Sequence, residues 1–453
     1  LLMLKKALLL GILLVCFSCG SDDNYVSREI ETSLDTASTQ ESVSVQIAIF
    51  ENDGYIPEQG FLTITSASNG FVEILNNNTQ TILDDLVVYT PSPNFTGQDT
   101  FTYTVCENEN SSICVTETVS ITVTSTSTVS FNLNEIPYQN LSEYGFFTGT
   151  LKDLNPSTGV IPYDLSSPLF SDYAHKKRFL WMPNNVSAQY VNDHSPFDFP
   201  VGTVLIKNFY YENVQPTNTT VLIETRLMYM TDEGWDFAKY VWNDEQTEAT
   251  FTNDGSFKSI EWIENSQLKT VNYRIPSKNE CFTCHNKFGT PLPIGPKPQN
   301  INKEYNYSEG LKNQLNKWIE VGYLENTIPS NIVSTVNWED ESLPLDIRTR
   351  SYIDINCAHC HSDESYCEYR SMRFAFNEND NQENMGVCVD ADTQVEGLTT
   401  IVTPNNFNES ILHFRINSVQ DQYRMPLLGR TLKHVEGVRL IEEWINSLNT
   451  DCQ

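Results

Sequence analysis

The chain is short of positive charge and of long apolar runs. Lys and Arg total 28 against 59 Asp and Glu, so the formal net charge is −31. A surface this acidic repels phosphate backbones and favours basic or neutral partners, which excludes nucleic acid as an expected partner. Beyond the first twenty residues no stretch is apolar enough to cross a bilayer. With 453 residues, the chain is long enough for about three domains that each have a core.

Histidine is also scarce, with 7 residues against 11 cysteines, yet the pattern C-x-x-C-H occurs twice, as CFTCH and CAHCH. Random order at this composition would give about 0.004 copies. The pattern is typical of covalent haem attachment, in which both cysteines form thioethers and the histidine is the proximal iron ligand. We therefore predict two haem c groups, held by Cys281, Cys284 and His285 and by Cys357, Cys360 and His361.

Two other readings of these motifs are weaker. A zinc site made from both C-x-x-C pairs usually has about 15 to 20 residues between the pairs, whereas Cys284 and Cys357 are 73 positions apart. A thioredoxin-like redox pair requires a βαβ setting, which the flanking sequence lacks. Within CAHCH, His361 holds the motif position, so we expect His359 to face outward without a role.

The first twenty residues resemble a secretory signal. Lys5 and Lys6 precede an apolar run, Ala7–Phe17, that is too short to span a bilayer. The following FSCGSDD resembles a bacterial lipoprotein signal, which implies a signal peptide over residues 1–18 and lipidation of Cys19. We expect a lipid anchor in the bacterial outer membrane. The sequence allows the protein to face either the periplasm or the cell surface.

Residues 41–124 have period-2 segments rich in Val, Ile, Thr and Tyr, separated by Asn, Gly and Pro. The pattern predicts a β-sandwich that resembles the bacterial cadherin-like or Ig-like repeat. The signature residues are Asn52, Asp53, Tyr89, Pro91, Phe95, Gly97, Asp99, Phe101 and Tyr103. Cys106 and Cys114 lie on successive predicted strands, so we expect a disulfide in an oxidising compartment. Residues 19–40 and 125–130 are predicted linkers.

Residues 131–330 carry further strands that lead into the first C-x-x-C-H motif, with few signals for long helices. Residues 331–453 differ, because LPLDIRTRSYIDIN predicts a helix before CAHCH and VEGVRLIEEWINSL predicts a terminal amphipathic helix. This order, with RMPLLG between the helices, resembles class I c-type cytochromes. The resemblance implies an all-α domain in which Met425, 64 positions after His361, is the second axial ligand. Cys367 and Cys388 bracket an insertion and are a candidate disulfide, which leaves Cys452 without a partner.

From about residue 135 to 448 the order of motifs resembles a family of two-haem c-type cytochromes of bacterial envelopes whose reaction is unassigned. The matching segments are IPYDLSSPLFSDYAHKKRFLWMP, FPVGTVLIKNF, IETRLMY, PLPIGPKPQNIN, YIDINCAHCH, RFAF, NMGVC and RMP. The resemblance implies haem binding, electron transfer and envelope redox partner proteins, but no substrate. The predicted fold is thus multidomain: an all-β sandwich, a β-rich domain with the first haem, and a cytochrome c-like domain.

The sixth ligand of the first haem is the open question, because no methionine follows His285 before the next predicted helix. His175 and Met182 are the first candidates, and His194, Met228 and Met230 are reserves. With a sixth side chain in place, we expect an electron carrier with no catalytic residue. Without it, the open iron position is typical of an oxidoreductase such as a peroxidase or a cytochrome P460-like protein.

Overall fold

The computed structural model describes residues 28–452. It begins with a two-sheet β-sandwich whose strand orders are β1-β7-β6-β3 and β2-β5-β4. The seven strands are β1 Asp35–Gln40, β2 Val45–Ile47, β3 Phe61–Ile64, β4 Gly70–Leu75, β5 Leu86–Pro91, β6 Gly97–Cys106 and β7 Cys114–Thr124. Alternate residues of β6 are buried, including Phe101 and Tyr103, as the period-2 pattern predicts. Two signature carboxylates anchor the core tyrosines: Asp53 accepts from Tyr103 Oη and Asp99 from Tyr89 Oη, both at 2.9 Å.

The sandwich starts earlier than the sequence analysis placed it. Strand β1 lies inside the predicted linker 19–40 and pairs in parallel with β7 along its whole length. Its sequence, DTASTQ, has no large apolar side chain, so the period-2 signal that marks the other strands is weak. Pairing with β7 stabilises this strand despite its few apolar side chains. The assignment of residues 35–40 to a linker is therefore wrong.

The middle part of the chain is dominated by an eight-stranded antiparallel sheet, with path order β10-β11-β12-β13-β14-β15 and with β16 pairing β12 and β17. A separate two-stranded sheet, β8 Phe147–Thr148 and β9 Asn155–Pro156, precedes it in the chain. The strands of the large sheet are β10 Ile161–Tyr163, β11 His175–Trp181, β12 Val204–Val214, β13 Thr219–Thr231, β14 Gly234–Trp242, β15 Ala249–Phe251, β16 Ser256–Glu264 and β17 Gln267–Ile275. Alternate residues belong to different apolar clusters: Leu205 and Met228 to one, Ile206 and Leu227 to the other. Both faces of the sheet are therefore covered.

Short elements follow the sheet: α1 Lys278–Cys284, β18 Asn286–Lys287, β19 Thr290–Pro291, α2 Pro298–Ile301, β20 Glu304–Tyr307, β21 Gly310–Asn313 and α3 Gln314–Glu320. Helix α3 buries Leu315 and Trp318 in the same apolar cluster as Leu205 and Met228. The first C-x-x-C-H motif contacts this cluster through Cys281, which packs against it.

The C-terminal part contains α4 Leu345–Ile353, β22 Asp390–Val395, β23 Leu398–Thr400, α5 Ile411–Asn417 and α6 Val435–Ser447. Both predicted helices are present, and α4 continues as a π-helical segment, Asp354–Ala358, into CAHCH. The apolar stripe of α6 is buried against α4, where Gly437 lies against the Tyr352 ring. The expectation of an all-α domain is wrong, because β22 and β23 form a hairpin inside it.

Among the residues that the structure describes, no helix has the length and apolar character needed to cross a membrane. The predicted signal peptide and Cys19 lie outside the described residues.

Candidate cofactor cavities

The first C-x-x-C-H motif sits on a helix that begins directly after the sheet. Strand β17 ends at Ile275, and Ser277 caps helix α1 by accepting from the backbone N–H of Glu280. The Glu280 carboxylate in turn accepts from Ser277 N at 2.8 Å and pairs with Arg274, which completes a capping box. The cap fixes where the helix starts, so Cys281 and Cys284 lie one turn apart at its end.

His285 ends the helix, and a tight hairpin fixes the orientation of its ring. Strands β18 and β19 turn through Phe288 and Gly289, both with positive φ, which brings Leu292 back beside the histidine. The Leu292 carbonyl oxygen lies 3.0 Å from His285 Nδ1. Only a protonated Nδ1 can donate to a carbonyl, so Nε2 keeps its lone pair. Burial lowers the pKa of His285 to about 3, so the ring is neutral at physiological pH.

His285 faces a cavity of about 150 Å³ whose wall is the β12-β13-β14 region of the large sheet. The strand register places Leu205, Met228 and Phe237 side by side as an apolar row. The Phe237 ring meets the His285 ring edge to face at a centroid distance of 5.4 Å. The apolar row therefore lines the cavity next to the imidazole.

The next positions on the same face form a basic row, defined as Lys207, Arg226 and Lys239, which also lines this cavity. Arg226 is paired with buried Glu224, and Lys239 Nζ donates to the Pro276 carbonyl at 2.8 Å. Burial, with Arg178 and Lys176 nearby, holds the pKa of the Lys207 amine well below its usual value. Like charges opposite each other on a sheet are unfavourable, so the row suits an anionic group inside the cavity.

The second motif lines a separate cavity of about 220 Å³. Cys357, Cys360 and His361 share its wall with Met425 and with apolar side chains of α5, among them Ile416. The Phe374 ring packs on His361 at 5.2 Å, and burial lowers the pKa of His361 to about 4. His361 Nδ1 is buried without a hydrogen-bond partner among the described residues. A neutral imidazole and a thioether sulfur thus line one cavity.

Buried Arg430 holds the segment that carries Met425. Arg430 Nε donates to the Met425 carbonyl at 2.9 Å, and its terminal nitrogens donate to the carbonyls of Arg415, Ser418 and Leu432. The backbone N–H of Met425 donates to the Arg415 carbonyl at 3.1 Å. The loop is therefore fixed against the end of α5.

The two residues predicted first as sixth ligand of a haem at the first motif lie away from the cavity beside His285. His175 is exposed and stacks on Tyr210, while Met182 is buried in a different cleft, near Trp181. His194 is exposed and lies outside the cavity wall as well. Of the reserve candidates, Met228 lines the cavity and is 7% exposed. The geometry therefore favours Met228 over the residues ranked first from the sequence.

His359 does not face outward, contrary to expectation. Its side chain is half-buried, lines both cavities, and has an Nδ1 without a hydrogen-bond partner among the described residues. One ring nitrogen lies within 4.8 Å of both Cys284 Sγ and Cys360 Sγ. The sequence contained no signal for this contact, because it joins two segments far apart in the chain.

The remaining cysteines differ in part from expectation. Cys106 and Cys114 are disulfide-bonded across β6 and β7, as predicted. The Cys367–Cys388 hypothesis is wrong, because Cys388 is bonded to Cys452 and Cys367 is a buried free thiol. The bond ties the segment after α6 back to the insertion, a proximity that sequence spacing does not reveal.

The residues of both cavities fit a covalently attached haem. Each cavity joins two free cysteines, a half-buried neutral histidine and apolar walls, and the first adds the basic row, which would pair with the carboxylate groups of a porphyrin. The sequence analysis predicted the cysteines and histidines of these cavities but missed the basic row. Its signal was present, since Lys207, Arg226 and Lys239 interrupt otherwise apolar strands of an acidic chain.

Comparison with known proteins identifies one part of the chain. Residues 29–131 match the family model of the bacterial Ig domain, so the N-terminal sandwich is a bacterial Ig-like domain, as the signature residues predicted. The match ends before the large sheet and both cavities. A search of curated proteins finds no match to the chain.

Among solved structures, the endo-fucoidan hydrolase MfFcnA4 from glycoside hydrolase family 107 aligns with 47% of this chain at 10% identity and a TM-score of 0.20. A variant of that enzyme aligns with 54% of this chain at 12% identity and a TM-score of 0.18. In both cases the alignment covers 27% of the hydrolase chain. Likeness this low does not define a shared fold for the cavities.

Proposed function

We propose that this chain is a two-haem c-type cytochrome that transfers electrons between redox partner proteins of the bacterial cell envelope, anchored to the outer membrane by lipid at Cys19. One observation carries the proposal: each C-x-x-C-H motif opens into its own cavity, with both cysteines free and the histidine half-buried and neutral. Haem, when bound, would supply one-electron redox chemistry.

The second cavity offers two residues that would bind the iron of a haem. His361 and Met425 share the cavity wall, and Arg430 fixes the methionine loop from behind. A thioether ligand raises the reduction potential relative to a second imidazole. This cavity therefore suits the higher-potential centre of an electron carrier.

The residues of the first cavity support a different centre. Hydrogen bonding to the Leu292 carbonyl orients His285 and increases its basicity as a ligand. Met228 would be the candidate second protein ligand, and the basic row would pair with the carboxylate groups of the porphyrin. Apolar cover from Leu205 and Phe237 keeps water from this side of the cavity.

Attachment is tested by producing the chain in a host competent for cytochrome maturation and weighing it after denaturation and acid-acetone washing. Two porphyrins above the bare chain are expected. The double variants Cys281→Ser/Cys284→Ser and Cys357→Ser/Cys360→Ser should each retain one, while Cys367→Ser, a matched change of a free thiol, should retain two. A colourless chain that instead contains zinc would reject the proposal in favour of a metal site at Cys284, His359 and Cys360.

A second candidate function is an oxidoreductase with an open position on the first haem, of the peroxidase-like or cytochrome P460-like kind. It is favoured by the distance of His175 and Met182 from the first cavity and by the basic row, which suits an anionic ligand. Reduced protein that binds carbon monoxide rapidly at one haem of two supports this candidate. If the unchanged protein does not bind carbon monoxide, the electron carrier is supported. If Met228→Leu then binds it and Met230→Leu does not, Met228 is the ligand.

A further inference from the structure

The two C-x-x-C-H motifs meet in space, although 76 positions separate Cys284 from Cys360. The sulfur atoms of these two cysteines and a ring nitrogen of His359 all lie within 4.8 Å of one another. Each sulfur belongs to a different motif. The second cysteine of each attachment site is therefore next to the second cysteine of the other.

Other contacts support the same arrangement without using these three side chains. The backbone N–H of Phe288, at the turn of the hairpin after the first motif, donates to the carbonyl of Glu364, just after the second, at 3.1 Å. Ile355, two residues before Cys357, is buried in the apolar cluster that Cys281 contacts, and it lines the first cavity. The two motifs are thus packed through backbone and apolar contacts.

The cavities adjoin at the same place. Four residues line both of them: Cys284, His359, Pro426 and Leu428. The two cavities therefore share part of their wall, and Pro426 brings the Met425 loop to the same boundary.

We infer that Cys284 and Cys360 attach the two haems edge to edge across His359, so that the haems form one electronically coupled pair rather than two independent centres; this rests on the proposed function. A thioether places the porphyrin edge on the sulfur that holds it, so adjacent sulfurs mean adjacent porphyrin edges. A charge change in one cavity then acts on the other at short range through a medium of low dielectric constant. Haems held by these two cysteines would be close enough to exchange an electron within the chain.

The test is visible circular dichroism of the protein carrying two haems, with the haem count taken from its mass. Two porphyrins in contact give a Soret signal with lobes of opposite sign, and we expect this couplet in the unchanged protein. The double variant Cys357→Ser/Cys360→Ser, which retains one haem, should lose the couplet. Cys367→Ser should keep both haems and the couplet. Two haems without a couplet in the unchanged protein would overturn the inference and leave the proposed function intact, whereas a chain without covalent haem rejects the proposed function itself.

A second measurement uses the chain before haem attachment and does not depend on a variant's folding. A reagent that becomes fluorescent only when it bridges two thiols should link Cys284 to Cys360, and peptide mass spectrometry identifies the linked pair. Both cysteines reacting separately, with no bridged peptide, would contradict the adjacency on which the inference depends.

Discussion

Asp172, in the segment before β11, clamps Thr431, which lies 259 positions later in the loop after Met425. Asp172 Oδ1 accepts from the Thr431 backbone N–H and Oδ2 from the Thr431 hydroxyl, at 2.7 and 2.9 Å. Asp172 is 2% exposed. The middle part of the chain thus holds the loop that carries the predicted iron ligand Met425. Residues of both the middle and the C-terminal parts therefore fix the second cavity.

Asp172→Asn should loosen that loop, because an amide nitrogen cannot accept the hydrogen bonds that a carboxylate oxygen accepts. Leaving buried donors unpaired costs about 1–3 kcal/mol each. We expect a lower free energy of unfolding in urea and a weaker absorption band from thioether bound to ferric iron. Asp380→Asn is the control, since Asp380 is exposed. An unchanged band with unchanged stability would show that the clamp does not hold Met425.

Met425→His should lower the reduction potential of one haem, because imidazole stabilises the oxidised iron more than a thioether does. The shift is expected to be on the order of 0.1 V, within the ~0.8 V that axial ligands span. Spectroelectrochemical titration measures it. Met372→Leu is the control, because Met372 lines the same cavity and is also buried. Equal shifts in both variants would remove Met425 from the ligand set.

His434 should make the fold sensitive to acid. Burial lowers the pKa of His434 to about 4, its ring stacks on Phe170 at 4.0 Å, and Tyr352 Oη lies 3.0 Å from Nδ1. The unfolded chain takes up a proton near 6.5, the ordinary value, but the folded chain does not until about 4. Stability therefore falls as the pH drops through this window, by up to about 3 kcal/mol, and levels off below it.

His434→Gln should flatten that part of the curve of unfolding free energy against pH. His175→Gln is the matched control, because His175 is exposed at the start of β11. A curve of the same slope in His434→Gln would assign the acid sensitivity to other groups.

Cys452→Ser should destabilise the C-terminal part of the chain. The disulfide from Cys388 to Cys452 spans 64 positions and restricts the unfolded chain. Its loss is expected to cost about 2–4 kcal/mol, measured by urea unfolding without reductant. Cys367→Ser removes a thiol without breaking a bond and is the control. Equal midpoints for Cys452→Ser and the unchanged protein would mean that the bond does not contribute.

Local patterns predicted much of the fold. The terminal helix is present at Val435–Ser447 because its apolar residues recur at the helical period, and β12 and β13 follow from their dense apolar and β-branched content. Strand β1 and the β22-β23 hairpin were missed, since their sequences are polar and their pairing partners stabilise them.

In the candidate site, too, some features follow from local sequence and others only from the tertiary structure. The sequence alone identified the residues that we propose hold haem, because thioether attachment needs two cysteines and a histidine at fixed short spacing, which is a local pattern. Only the tertiary structure decided that Met228 rather than His175 or Met182 lines the first cavity, that the basic row faces it, and that Cys284 lies beside Cys360. These contacts join segments far apart in the chain, and strand register and packing, which no local pattern encodes, bring them together.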